Sequence, residues 1–277
     1  MPEGDTIYRA ARTLRQTLAG REVTRFDTTV PELRAVGLQR LLGETVDNVQ
    51  SRGKHLLHWF QPSGLTLHTH MRMTGSWHVY RAGERWRKPQ QQARVVLGVE
   101  LWTAVCFSAP VVELLSGAQV ARHPSLASLG PDALASQVDL VEARRRLDAR
   151  GDWTIAEALL DQRVLAGVGN VYKCEVLFLH ATDPWLRVIE VNPDTRDGLL
   201  ATAVRLLRAN AAVGSSPVRT TTGDGPGRPN ADRLNVYGRA GRACPRCNSR
   251  VRVAAQGAQA RLTYWYPGCQ GAGGIRS

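Results

Sequence analysis

The chain is expected to fold as an α+β protein of more than one domain, with a β-rich N-terminal half, a helical middle and a terminal β-hairpin. Three observations predict this. Apolar residues repeat at helical spacing over the first twenty positions, then alternate at strand spacing to about residue 108, and the helical period returns beyond residue 132. The length of 277 residues also favours separate cores over a single one.

The elements follow in order. In the opening "MPEGDTIYRAARTL" helix, Ile7, Ala10, Ala11, Leu14 and Leu18 share one face. Asp5 or Thr6 is placed to cap that helix and Gly20 to end it. From Val23 the pieces shorten to strand length. "LTLHTHMRM" alternates, with Leu65, Leu67, Thr69, Met71 and Met73 on one side, and "GSWHVY", "RVVLGVELW" and "AVCFS" follow with turn residues between them. This half reads as a β-sandwich or a barrel behind one helix. "RHPSLASLGPDAL", residues 123–134, is a connection marked by proline and glycine. Helical spacing then runs through "VEARRRLDA", "TIAEALLDQ", "VYKCEVLFLH" and "RDGLLATAVRLLRANA", with Thr154 and Glu157 spaced as a capping box. "GSSPVRTTTGDGPGRPNAD" lacks core-building residues and reads as a flexible loop. The stretch "RACPRCNSRVRVAAQGAQARLTYWYPGCQ" reads as a hairpin around a CxxC. The expected domains are 1–122, 132–232 and 233–272.

The formal net charge is +12, and Lys54, Lys88 and Lys173 are the only lysines. Arginine forks around phosphate oxygens and stacks on bases, so a nucleic-acid partner is the first expectation. A coding bias towards arginine would explain the Arg:Lys ratio but not the surplus of cations over acids. No apolar run reaches membrane-spanning length and the first residues are charged throughout, so neither a membrane span nor a signal peptide is expected. Five cysteines, two of them in the CxxC of Cys244 and Cys247, suit a cytoplasmic protein with a metal site better than a disulfide scaffold.

Two stretches carry chemistry. Proline at position 2 permits removal of the initiator methionine, which would expose a secondary amine at Pro2 beside the Glu3 carboxylate. The plain alternative is a helix lead-in, since proline is common just inside a helix start. In "LLDQRVLAGVGNVYKCEVLF", residues 159–178, a tight turn through Gly167 and Gly169 joins two helices, with Asn170 capping the second. Such a turn offers free N–H groups to a phosphate. It serves equally as a packed helical hairpin that needs glycine for space.

With "MPEG" at the start, "SRGKHLL" at 51–57 and the terminal CxxC hairpin in the same order, the chain resembles the formamidopyrimidine-DNA glycosylase and endonuclease VIII family. The resemblance runs from Pro2 to Gln270. It implies an α+β multidomain fold: an N-terminal β-sandwich with an N-terminal helix, then a helical domain with a helix–two-turn–helix element, then a zinc-finger-like β-hairpin. It also implies a bifunctional DNA glycosylase and lyase of base excision repair. In that scheme the Pro2 amine attacks C1′ of a damaged nucleotide and Glu3 assists opening of the sugar ring. The resulting iminium is an electron sink for breaking the 3′ and then the 5′ phosphate bond. A chain-end amine suits the task, because roughly one in ten is unprotonated at neutral pH, against fewer than one lysine in a thousand.

The resemblance completes the catalytic set with Lys54 and Arg261 as phosphate contacts. It makes Gly167, Gly169 and Asn170 a DNA-binding turn. Met73 matches the residue that fills the space left by a flipped base; its alternative is a core methionine, and Met71 and Arg72 are the other residues able to serve. The implied partner is double-stranded DNA with oxidised bases or abasic sites, bound by a monomer. The region "CFSAPVVELLS" lacks the Asp-Pro-Arg-Arg-Phe stretch of the purine-oxidation branch, which favours oxidised pyrimidines. There are two departures. Thr6 stands where the family usually has a glutamate. Tyr266 occupies the third ligand position of the family's four-cysteine zinc finger, leaving Cys244, Cys247 and Cys269, and no His, Asp or Glu follows Cys244. Zinc is therefore expected to be substoichiometric or readily chelated, with Val251, Val253, Leu262, Tyr264, Trp265 and Tyr266 holding the hairpin by cross-strand packing. A competing reading is a damaged-DNA binding protein of the same fold with reduced catalysis. A basic RNA- or ribosome-binding protein would explain the charge but not the N-terminus.

Overall fold

The computed structural model describes residues 2–36, 38–212, 214, 218–222, 233–244 and 246–271. The chain divides into two compact units, residues 1–128 and 129–277. Most of the loop expected at 214–232 lies outside the described residues, as does Met1.

The first unit opens with helix α1 (Gly4–Leu18), followed by β1 (Arg25–Thr28) and a short α2 (Pro31–Val36). Strands β2 (Thr45–Arg52), β3 (His55–Gln61), β4 (Thr66–His70), β5 (Ser76–Arg81), β6 (Ala93–Gly98), β7 (Trp102–Phe107) and β8 (Val111–Leu115) follow, then α3 (Gly117–Arg122) and α4 (Pro124–Ala127). The strands form two antiparallel four-stranded sheets, β1-β6-β7-β5 and β2-β3-β4-β8. The alternative left open by the strand pattern is thus resolved as a sandwich. Leu56, Phe60 and Leu67 of one sheet and Val95, Leu97 and Cys106 of the other meet in one core, which Ile7, Ala11, Leu14 and Leu18 of α1 join. The helix starts earlier than Asp5 or Thr6 would cap it: Gly4 is its first residue and Glu3 holds the capping position. Helix α2 interrupts a stretch that reads as continuous β, because Pro31 supplies a helix start and Leu33 finds a buried place.

The second unit contains α5 (Leu140–Asp148), α6 (Ile155–Leu160), α7 (Asn170–Leu179) and α8 (Pro193–Ala211). It continues with the hairpin β9 (Arg252–Gln256) and β10 (Arg261–Trp265), then α9 (Pro267–Gln270). Ala143, Leu147, Leu159, Tyr172, Val176, Leu200 and Leu207 from α5 to α8 make its main core. A smaller cluster joins Cys174 and Phe178 of α7 to Val236, Cys244, Val251 and Tyr266, so the hairpin packs on the second helix of the two-turn element. Thr154 accepts a hydrogen bond from the Glu157 N–H, but the Glu157 carboxylate accepts from the Thr154 hydroxyl instead of its backbone N–H. The expected capping box is therefore half formed.

Candidate functional site

Pro2 does not lie inside a helix. Glu3 occupies the cap position and Gly4 the first helical one, so Pro2 stands one residue outside, half-buried. The preference of proline for the first helical position therefore does not apply to it. Glu3 is fully buried, and its backbone carbonyl accepts from the N–H groups of Thr6 and Ile7 while its side chain makes no cap hydrogen bond. Asp5, also fully buried, pairs with Arg9 at 3.5 Å. Two carboxyl groups thus sit at the positive end of α1, where the helix dipole favours negative charge.

Lys54 lies in the two-residue turn between β2 and β3, where Arg52 pairs with His55. Gly53 takes φ +56° at the first turn position, as a tight hairpin with a glycine–X pair requires. Behind this turn the outward face of the β2-β3-β4-β8 sheet carries a histidine network. His55 pairs with His70 across β3 and β4, and His68 pairs with Glu113 across β4 and β8. His55 Nδ1 lies 2.8 Å from His68 Nε2, His68 Nδ1 lies 2.7 Å from the Glu113 carboxylate, and His123 Nε2 reaches the same oxygen at 3.2 Å. Burial, then the charges of His70, His68, His123 and Lys54, pull the His55 pKa down to about 2. Burial and then Lys54, His68 and Arg72 lower that of His70 to about 4. Sequence reasoning missed this network, although the signal was present: "HLLH" and "LHTH" on paired strands place His55, His68 and His70 on one face by strand alternation.

Met73 is 65% exposed, against 3% for Met71, so it is not the core methionine that strand alternation allowed. It sits in the β4–β5 turn. Arg72 there takes φ +43°, unusual for a non-glycine residue, and donates its N–H to His70 Nδ1 at 3.1 Å.

In the second unit the turn between α6 and α7 is stapled by Gln162. Its Oε1 accepts from the Gly167 N–H at 3.0 Å, and its Nε2 donates to the carbonyls of Leu160 and Val168. Gly167 needs its glycine, with φ +105°; Gly169 is extended and takes the cap position of α7. Asn170 therefore does not cap α7 as expected. It is the first helical residue, buried, and its Nδ2 donates to the Leu262 carbonyl at 2.7 Å, tying the turn to β10. A second tie is buried Lys173. Its Nζ donates to Thr263 Oγ1 at 2.7 Å, Thr263 donates to Gln256 Oε1 at 2.7 Å, and Gln256 Nε2 donates to Thr154 Oγ1 at 3.0 Å. These bonds hold the hairpin against the two-turn element. Arg261 stands at the hairpin's edge as the first residue of β10, half-buried, opposite Gln256.

Cys244, Cys247 and Cys269 converge within 4.8 Å, with Cys244 and Cys269 sulfurs 3.5 Å apart, so three thiols can hold a metal ion. They do not make the closed four-ligand set of a structural zinc site. Tyr266 is fully buried, its ring centroid 5.4 Å from that of Phe178, and its hydroxyl donates towards the carbonyls of Asn235 (3.2 Å) and Ala243 (3.4 Å). Burial raises its pKa, which further disfavours a phenolate ligand. The expected cross-strand packing is only partly present. Val251 and Trp265 are buried, but Val253 and Leu262 are 41% and 48% exposed, because the hairpin is held from its α7 side.

Comparison with known proteins agrees with these features. Residues 1–110 match the family model of the formamidopyrimidine-DNA glycosylase N-terminal domain, and residues 129–222 match that of its H2TH domain. The chain is 46% identical to the probable endonuclease 8 2 of Streptomyces coelicolor, covering 98% of this chain and 94% of that one. It is 41% identical to endonuclease 8 2 of Mycobacterium tuberculosis, over 98% and 100% of the two chains. It is also 37% identical to the DNA-(apurinic or apyrimidinic site) lyase Nei2 of Mycolicibacterium smegmatis, over 98% and 99%. Among solved structures, a Lactococcus lactis Fpg complexed with abasic-site DNA superposes with a TM-score of 0.80 at 23% identity, covering 98% of this chain and all of that one. That likeness establishes the fold. With both domains matched in order and relatives similar over nearly their full lengths, the chain belongs to the formamidopyrimidine-DNA glycosylase and endonuclease 8 family.

Proposed function

We propose that this protein is a bifunctional DNA glycosylase and abasic-site lyase that removes oxidised bases, pyrimidines first, through an iminium formed at Pro2. The observation that carries the reading is the start of α1, with Pro2 left outside the helix and a fully buried Glu3 beside it. In this reading the Pro2 amine attacks C1′, the glycosidic bond breaks, and Glu3 protonates the ring oxygen as the sugar opens. Loss of the C2′ proton then sends its C–H electron pair towards the iminium, and the 3′ phosphate leaves with its C–O bonding pair; loss of the C4′ proton into the conjugated iminium expels the 5′ phosphate in the same way. Lys54 and Arg261 bind phosphates, the Gly167–Asn170 turn grips the backbone, and Met73 enters the space of the flipped nucleotide. The working species is a monomer on duplex DNA in the cytoplasm. Residues 1–122 carry the chemistry and, through Lys54 and Met73, part of the grip, while 132–232 and 233–272 carry the rest of it.

Borohydride should trap a covalent adduct at the N-terminus, and blocking the Pro2 amine should abolish strand cleavage while lesion binding persists. Undiminished cleavage by the blocked protein would remove Pro2 from the mechanism. Single-turnover rates on thymine glycol should exceed those on 8-oxoguanine opposite cytosine; the reverse order would place the protein in the purine branch. The incomplete thiolate set favours a second reading, a lesion-binding protein with little turnover, which predicts binding without any trapped adduct.

The ligand set also bears on metal dependence. Zinc at the hairpin is expected below one ion per chain, with cleavage surviving chelation, since buried side-chain bonds from α6 and α7 already hold β9 and β10. Loss of cleavage on removal of a tightly held zinc would show that three thiolates suffice.

A further inference from the structure

We propose that His68, Glu113 and His123 bind a single divalent ion of the zinc class, at a site in the first unit distinct from the cysteine hairpin. The three side chains come from separate elements and converge. The β4–β8 ladder sets His68 directly opposite Glu113, so both project from the same face. The junction between α3 and α4 brings His123 to the same carboxylate. The potential ligand atoms all lie within 4.8 Å of one another.

The chemistry of the set suits such an ion. Two imidazoles and one carboxylate are a ligand combination of open zinc sites, which leave a fourth position for water. Glu113 is 40% exposed on its side chain and His68 only 1%, so the site has a closed back and an open front. A tetrahedral ion with bonds of about 2.0–2.2 Å needs ligand atoms about 3.3–3.5 Å apart. The Glu113 oxygen stands 3.2 Å from His123 Nε2 and 2.7 Å from His68 Nδ1, where a proton now bridges each pair. Binding therefore requires widening by about half an ångström at His68, with the two imidazole nitrogens within 4.8 Å of one another.

A second observation supports the site from behind. Metal-bound histidines almost always donate their other ring N–H to a fixed acceptor. His68 has that acceptor in place, His55 Nδ1 at 2.8 Å from its Nε2. On binding, the His68 proton moves from Nδ1 to Nε2, that of His55 from Nδ1 to its own Nε2 and that of His123 from Nε2 to its buried Nδ1, so the three imidazoles release no net proton.

The test uses the full chain. Zinc is added to 15N-labelled wild-type protein while two-bond nitrogen–proton spectra follow the imidazoles. Cobalt is titrated in parallel, because cobalt on thiolates gives near-ultraviolet charge-transfer bands that imidazole and carboxylate ligands do not. His68 Nδ1 and His123 Nε2 should shift together at one added ion, and a cobalt band without thiolate character should appear. Glu113→Gln, close in shape to the original, should abolish both signals. His55→Ala should weaken the affinity by about 10–100-fold, the usual cost of losing a supporting partner. Three results would overturn the proposal: imidazoles unmoved while only the thiolates take metal, no metal bound at all, or unchanged affinity in Glu113→Gln. The wild-type spectra decide the question even if a variant fails to fold, and a failure of the proposed lyase activity would leave these readouts untouched.

Discussion

Residues 1–128 and residues 129–277 bury their polar groups with different chemistry. Six of the seven histidines lie in the first unit. His58 is fully inside its sandwich, with its ring 4.8 Å from that of Trp77, while His55, His68 and His70 line the outer face of the same sheet. In the second unit the buried polar centres are Glu175 and Lys173. The Glu175 carboxylate accepts from the N–H groups of Asn235, Val236 and Tyr237, from Asn235 Nδ2 and from the Thr221 hydroxyl. Around them arginine–carboxylate pairs such as Arg150–Asp161 and Arg196–Asp148 connect the helices. The difference teaches where acid should act. A buried imidazole held neutral costs stability once the pH falls below its ordinary value near 6.5, so the histidines of the first unit are where mild acid should act.

The largest expected effect breaks the second unit's arrangement. Glu175→Gln replaces an acceptor-only group with one whose –NH2 faces backbone donors. Several hydrogen bonds to a charge weaken together, and the loss should be on the order of 4 kcal/mol, read as a fall in the urea midpoint. An unchanged midpoint would mean that the segment at 235–237 is held by other contacts.

Acid sharpens the comparison on the other side. Burial lowers His58 from 6.5 to about 4, so its folded pKa lies below its unfolded one. Between those values the unfolded chain binds the extra proton, and stability falls as pH falls. The stability tied to neutral His58 is full above pH 6.5 and drains towards pH 4, on the order of 3 kcal/mol in all. His58→Phe should flatten that part of the acid limb, leaving a residual slope from His55 and His70. An identical acid limb in the variant would remove His58 from the account.

The smallest effect tests whether both units share the proposed grip on DNA. Lys54→Ala in the first unit and Arg261→Ala in the second should each reduce the salt slope of log K by about 0.9. A slope that changes for only one of them would make the grip one-sided.

Much of this was readable in the sequence because it depends on local pattern. The period of α1 acts within a few residues and forms as read, and so does the alternation of "LTLHTHMRM" as far as His70, where β4 ends and Met71 and Met73 leave the strand. Positions fixed by motif were also readable, including Pro2 at the chain start and the three cysteines. The misreadings share one cause. Asn170 looks like a cap locally, but an acceptor 92 residues away, the Leu262 carbonyl, claims its side chain. Val253 and Leu262 alternate like packed hairpin residues, yet the hairpin buries its other side against α7.

The sequence by itself determined where the helical and strand periods change and which residue types are available for chemistry, because these follow from spacing along the chain. Only the tertiary structure decided that Met73 is exposed and Met71 buried, and that Tyr266 bonds carbonyls instead of completing a metal site. It also decided that four histidines and Glu113 meet on one sheet face. The physical reason is that burial and hydrogen-bond partnership depend on residues from distant strands and helices, whose approach is set by which faces pack together.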